Sequence, residues 1–158
     1  MKMEITLANC LWLMLPLLVW NLILGPRIRD PRVASDAHSP KWQLLAENGS
    51  RILVFALPLL LPLPSGAEWQ SGRAQVGLAV YILGTLVYFA TWLPLLFAPA
   101  SAWSNHPAGL LAPRLTPYLP FLGIALLGGS WLYGGIAAVF ICLHTWHGVQ
   151  NLSPGQEI

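Results

Sequence analysis

Charge is what this chain has least of. Asp, Glu, Lys and Arg together make up 9% of its 158 residues, against roughly 25% in ordinary soluble domains. A soluble domain needs a charged coat, and this chain cannot supply one. Cysteine is nearly missing too: Cys10 and Cys142 are the only two, and both fall in apolar segments. That excludes a disulfide framework and leaves two small buried apolar residues. Strong charge of either sign is also lacking. A formal net charge of +2 gives nucleic acid nothing to bind.

What the chain has is hydrocarbon. Hydrophobic residues are 56% of it, and the mean hydropathy is +0.61. Eight Trp and fourteen Pro complete the profile. The reading is an all-α, polytopic integral membrane bundle of about five helices, forming a single domain over 1–158, with the lipid bilayer as its main partner. A spanning helix needs about 20 mostly apolar residues. Residues 5–25 meet this, with a kink predicted at Pro16. No small-x-small cleavage site follows the run, so it is read as a first span and not a signal peptide. The second helix is predicted over 40–63, opened by Ser39 as cap and Pro40 as first residue. Its first half is polar and is either interfacial or spanning. The third covers 73–97. The 35 apolar residues from 115 to 149 split at Gly128–Ser130 into helices 115–128 and 131–150.

Positive charge sets the expected orientation. Arg27, Arg29, Arg32, Lys41, Arg51 and Arg114 fall on one side of a five-pass chain, and Lys2 and Arg73 on the other. The six mark the cytoplasm, which puts the N-terminus outside and the C-terminus inside. The default location is a bacterial inner membrane. Few helices and Gly-rich seams point to homo-oligomers.

Within the spans, polar residues show which faces meet protein. Tyr81, Thr85, Tyr88 and Trp92 lie within about 60° of one another on the third helix. On the fifth, Tyr133, Phe140, His144, His147 and Asn151 share a sector of roughly 80°. Gly134 and Ala138 form a small-xxx-small patch for close helix contact. His144 to Asn151 reads HTWHGVQN, and its two histidines end this face in the cytoplasmic leaflet. Glu47, Asn48 and Arg51 reach the same leaflet from the second helix. Glu47 and Arg51, four apart, pair along it.

The candidate binding residues are therefore Glu47, Arg51, His106, His144, His147, Asn151, Tyr88 and Tyr133. The leading function is binding or transport of a small polar solute, ion or proton, with histidine as the titrating group. The competing one is a membrane enzyme that uses His144 and His147. These two with Glu47 could hold a divalent metal, since imidazole and carboxylate suit Zn or Fe. A third view is that the histidines only wet a helix end.

One stretch widens the enzyme reading. SNHPAGLL, residues 104–111, with the apolar hairpin after it, is similar to the His-Pro segment of membrane methyltransferases of the isoprenylcysteine and phospholipid type. Those enzymes place Arg before the His, where this chain has Asn105. They follow the hairpin with paired Glu, where it has only Glu157. The likeness spans eight residues and a hydropathy pattern, and implies S-adenosylmethionine chemistry.

The orientation has a direct test. Asn48-Gly-Ser and Asn151-Leu-Ser are glycosylation sequons. In a eukaryotic secretory membrane both are expected to stay unmodified. A glycan at Asn48, detected as an enzyme-sensitive mass shift, reverses the orientation.

Overall fold

The computed structural model describes residues 8–27 and 40–150. Asn151, the remote ends of the chain and most of the first loop lie outside the described residues. The described chain is all-α. Its one strand-like feature is an isolated bridge between Asn9 and Pro62.

Seven helices follow in order: α1 (Leu11–Leu24), α2 (Lys41–Ala56), α3 (Gly72–Phe97), α4 (Ala102–Asn105), α5 (Pro107–Leu115), α6 (Tyr118–Leu127) and α7 (Trp131–Gln150). Short 3₁₀ turns extend α1 over Gly25–Arg27 and α2 over Leu57–Leu60. Three helical stretches are long and apolar enough to cross a membrane: Gly72–Phe97, Pro107–Leu127 and Trp131–Gln150. Two further helices of the described residues fall short of that length or composition. α1 and its turn are apolar but short. α2 carries Lys41, Gln43, Glu47, Asn48 and Arg51 in its first eleven residues.

Several boundaries differ from those that hydropathy indicates. α2 starts at Lys41 because Pro40 is extended, with ψ at 139°, and so precedes the helix. The stretch before α6 is helical from Pro107, eight residues earlier than the apolar run. His106 and Pro107 open it: His106 Nδ1 accepts a bond from Ala108 N at 3.2 Å, and proline suits the first turn. α1 runs unbroken through Pro16.

The path alternates. Cys10 N bonds Leu61 O at 2.8 Å, so the start of α1 meets the end of α2. On α3, the Tyr81 hydroxyl donates to Leu13 O and that of Tyr88 to Asn21 Oδ1, each at 2.7 Å. α3 is thus parallel to α1. Gly129, with φ at 63°, turns α6 back into α7. A side chain is doubly excluded there, because its Cβ would sit 1.9 Å from Arg73 Nη1.

α6 lies in closest approach to α3. A Cβ on Gly84 would fall 2.7 Å from Pro120 N, and one on Gly123 2.5 Å from Tyr81 N. Both contacts are with backbone. The buried line on α3 is Ala74, Gly77, Tyr81, Gly84, Tyr88 and Trp92, which is the tyrosine face read from periodicity. On α7 the small buried pair is Gly134 and Ala137, not Gly134 and Ala138. Gly134 has slack: a Cβ there would meet Ala125 at an ordinary 3.4 Å.

The glycines of the α3–α6 seam are expected to be the least replaceable. Gly84→Ala and Gly123→Ala should each lower stability by about 1–3 kcal/mol through overpacking. Gly135→Ala, where nothing lies within 4 Å, should be neutral or stabilising. Thermal unfolding in detergent distinguishes them, and equal behaviour would place the seam elsewhere.

Candidate functional site

Gln43, Glu47, Ser50 and Val54 are the buried residues of α2. Their spacing of four, three and four is that of one helix face. This face packs on α7, which runs the opposite way. Trp42 meets Trp146 with ring centres 5.9 Å apart, and Arg51 lies over Phe140 at 5.8 Å.

Between these contacts sits one carboxylate with three donors. His144 Nδ1 lies 2.9 Å from Glu47 Oε1, and His147 Nδ1 lies 2.7 Å from Oε2. Arg51 donates from Nη2 to Oε1 at 2.5 Å. The spacing explains the geometry. Residues three apart on a helix are neighbours, so both imidazoles of H-x-x-H reach one carboxylate, each taking its own oxygen. Glu47 and Arg51, four apart, pair within α2. A carboxylate only accepts, so both imidazoles present Nδ1–H to it. This pairing engages neither Nε2.

Exposure is graded across the cluster. The Glu47 side chain is 3% exposed, His147 11%, His144 28% and Arg51 42%. The carboxylate is thus the sealed centre, and His144 and Arg51 are the parts that reach outward. They reach a cavity of about 740 Å³. Arg51, Phe140, His144 and Gly148 form one wall, and Tyr88 and Asn21 stand on others, with Arg114 at the α5 side. Most of the remaining lining is leucine, proline and phenylalanine.

The structure brings together Glu47, Arg51, His144 and His147. Tyr88 joins them as a cavity wall, held by its bond to Asn21. Tyr133 does not belong here. It is buried eleven residues before His144, about 16 Å along the helix, with its hydroxyl 3.8 Å from Met14 Sδ. His106 is exposed and caps α5, and it does not line the cavity. The His-Pro segment of the methyltransferase likeness therefore lies apart from the cluster. Among the described residues no three His, Cys, Asp or Glu side chains are arranged to hold a metal. Here the imidazoles bond the carboxylate itself rather than converge on a common point.

Periodicity passed over three residues. Asn21 is a lone amide in an apolar run, and it ties Tyr88 to α1 while donating to Leu17 O at 2.8 Å. Arg114 reads as a loop charge, but it packs on Gly148, where a Cβ would come 2.6 Å from Nη1. The glycine in HTWHGVQN makes that approach available. Gln43 is fully buried, one turn before Glu47, and neither of its amide atoms has a hydrogen-bond partner among the described residues. Its place on the α2 face was legible; its burial was not.

Compared with known protein families, curated proteins and solved structures, the chain matches none.

The cluster predicts a ranking. Glu47→Ala strands two imidazoles and a guanidinium, and should lose about 2 kcal/mol or more. His147→Ala should lose less, and His144→Ala and Arg51→Ala least, in the order of their exposure. Chemical or thermal unfolding in detergent reads the order. Equal small losses would mean that the network is solvated and not structural.

Proposed function

We propose that this protein is a multi-pass membrane protein that binds a small solute in the cavity beside Glu47, with His144 as its proton-exchanging group. The up-and-down path of the helices supports a five-pass membrane reading. α1 and α2 with their turns run antiparallel to each other and alternate with the three long apolar helices. Arg27, Lys41 and Arg114 stand at one end of the bundle, and Arg73 at the other. By the positive-inside rule the first end is cytoplasmic. That places the C-terminus inside and the N-terminus outside, in a bacterial inner membrane. Homo-oligomers remain part of the proposal.

The observation that carries the binding reading is the shared wall. His144 and Arg51 belong both to the Glu47 network and to the cavity. Ligand cavities run to about 300–1,000 Å³, mostly apolar with a few fixed polar groups, and this one has that composition. Its walls suit a solute with an apolar body better than a bare ion. Glu47 orients the imidazole through Nδ1, and Nε2 is the atom left to exchange a proton with a guest.

The same pair supports a second reading, a membrane enzyme with His144 as general base. A carboxylate behind an imidazole is the arrangement such catalysis uses.

Native mass spectrometry of the purified protein tests both. Wild-type protein is expected to carry a small molecule that Leu110→Trp, which fills the cavity, does not. Identical adducts on the two proteins would remove the cavity as the site. His144→Gln separates the readings. A carrier retains the same molecule, whereas an enzyme accumulates a chemically different one, its unreacted substrate.

A further inference from the structure

The stripe of α7 that faces the cavity is Phe140, His144 and Gly148, one residue per turn. A guanidinium stands at each end of it. Arg51 lies over Phe140, and Arg114 packs against Gly148. His144 stacks on Phe140 between them, with ring centres 5.4 Å apart and planes 16° from parallel. Eight residues of helix rise about 12 Å, so the three groups make one cationic and hydrogen-bonding band across one wall. Away from it the lining turns to hydrocarbon, including Leu18, Leu22, Phe55, Leu95 and Phe121.

No carboxylate lines this cavity among the described residues. Glu47 reaches the band from behind. It engages Arg51 through Nη2 alone, and a guanidinium carries five N–H donors. Glu47 therefore orients Arg51 without using up its donors, and fixes the His144 ring beside it. A cationic guest would face two guanidiniums. A purely apolar guest would strip the remaining Arg51 donors of water and return no acceptor. A guest with an anionic head meets charge-assisted, planar donors that suit phosphate or carboxylate geometry.

Resting on the binding reading above, we infer that the occupant is an anionic amphiphile, with a phosphate or carboxylate head at Arg51 and Arg114, beside the His144 ring, and a hydrocarbon chain along the apolar walls. The two parts of the cavity match the two parts of such a molecule. A membrane protein meets these molecules in the bilayer around it.

The test uses delipidated full-length protein in a neutral detergent and four probes: oleoyl lysophosphatidate, oleate, monoolein and inorganic phosphate. Binding is read by native mass spectrometry titration. The two anionic amphiphiles are expected to bind at least about tenfold more tightly than monoolein, or about 1.4 kcal/mol. Inorganic phosphate should compete only weakly, because it lacks the chain. The order of lysophosphatidate and oleate identifies which head group the band prefers. Arg51→Gln and Arg114→Gln should each bring the anionic probes down toward monoolein and leave monoolein unchanged. Arg51→Lys and Arg114→Lys should keep most of the preference, which separates lost charge from lost fold. Equal affinity for monoolein, or a preference that survives both Gln variants, overturns the anionic assignment while cavity binding stands. Tight binding of inorganic phosphate, undiminished by lack of a chain, overturns the amphiphile. If no amphiphile binds wild-type protein, the amphiphile assignment falls, while the binding reading stands or falls on the adduct that Leu110→Trp removes.

Discussion

An ionised carboxylate in a poorly hydrated bundle must be met by donors, because no bulk water is there to do it. Glu47 imposes this requirement on the rest of the molecule. Its two oxygens take Arg51 from its own helix and His144 and His147 from α7. The requirement fixes the register of α2 against α7. A shift of one residue along either helix rotates a side chain by about 100° and would leave the carboxylate facing leucine. The Trp42–Trp146 and Arg51–Phe140 contacts mark the same register on either side. A polar bundle could settle for approximate pairing, but this one cannot.

A second constraint acts on the other half. α3 and α6 are pressed together through Gly84 and Gly123, with no room for a methyl between backbones. Close backbone packing of this kind holds helices together where the hydrophobic drive is weak. The chain then bends at Thr116 and Pro117, where Thr91 and Thr116 hydroxyls meet at 3.3 Å. Before the bend, α5 packs on both α3 and α7, and meets α7 at Gly148. Three fixed contacts thus surround a region that none of them fills: α2 on α7 through Glu47, α6 on α3 through glycine, and α5 on α7 through Arg114. The cavity is what the three leave over. It is open on one side, where exposed Val19 and Leu22 form part of its rim.

What the sequence made legible follows the same division. Helix period placed Tyr81, Tyr88 and Trp92 on one face and His144 with His147 on another, because facing is a local property of a helix. The i, i+4 spacing of Glu47 and Arg51 was equally local. Depth along the axis was not. Tyr133 shares the histidine face but lies three turns away beside Met14, and sector arithmetic ignores that distance. His106 has the right chemistry in a loop-like sequence, yet its ring caps a helix that the proline-rich composition of 107–117 conceals. The character of α2 was hard to read for a related reason. Hydropathy adds residues along the chain, whereas α2 hides Gln43 and Glu47 against α7 and needs no apolar face on that side.

Arg114 shows the limit most clearly. Nothing near it in sequence marks it as part of a site, and Gly148 reads alone as a weak point in a helix. Only their contact gives either a role. The glycine removes a side chain from α7 at the level where an arginine from another segment must lie flat against it. HTWHGVQN is therefore read in two directions. Its histidines turn toward Glu47 and build the buried network. Its glycine opens the helix toward Arg114 and the cavity. His144 stands where the two meet: one ring nitrogen is fixed by the sealed carboxylate, and the ring itself is on the cavity wall. Any change at Glu47 must reach a bound molecule through this residue or through Arg51, because the carboxylate has no surface of its own in the cavity.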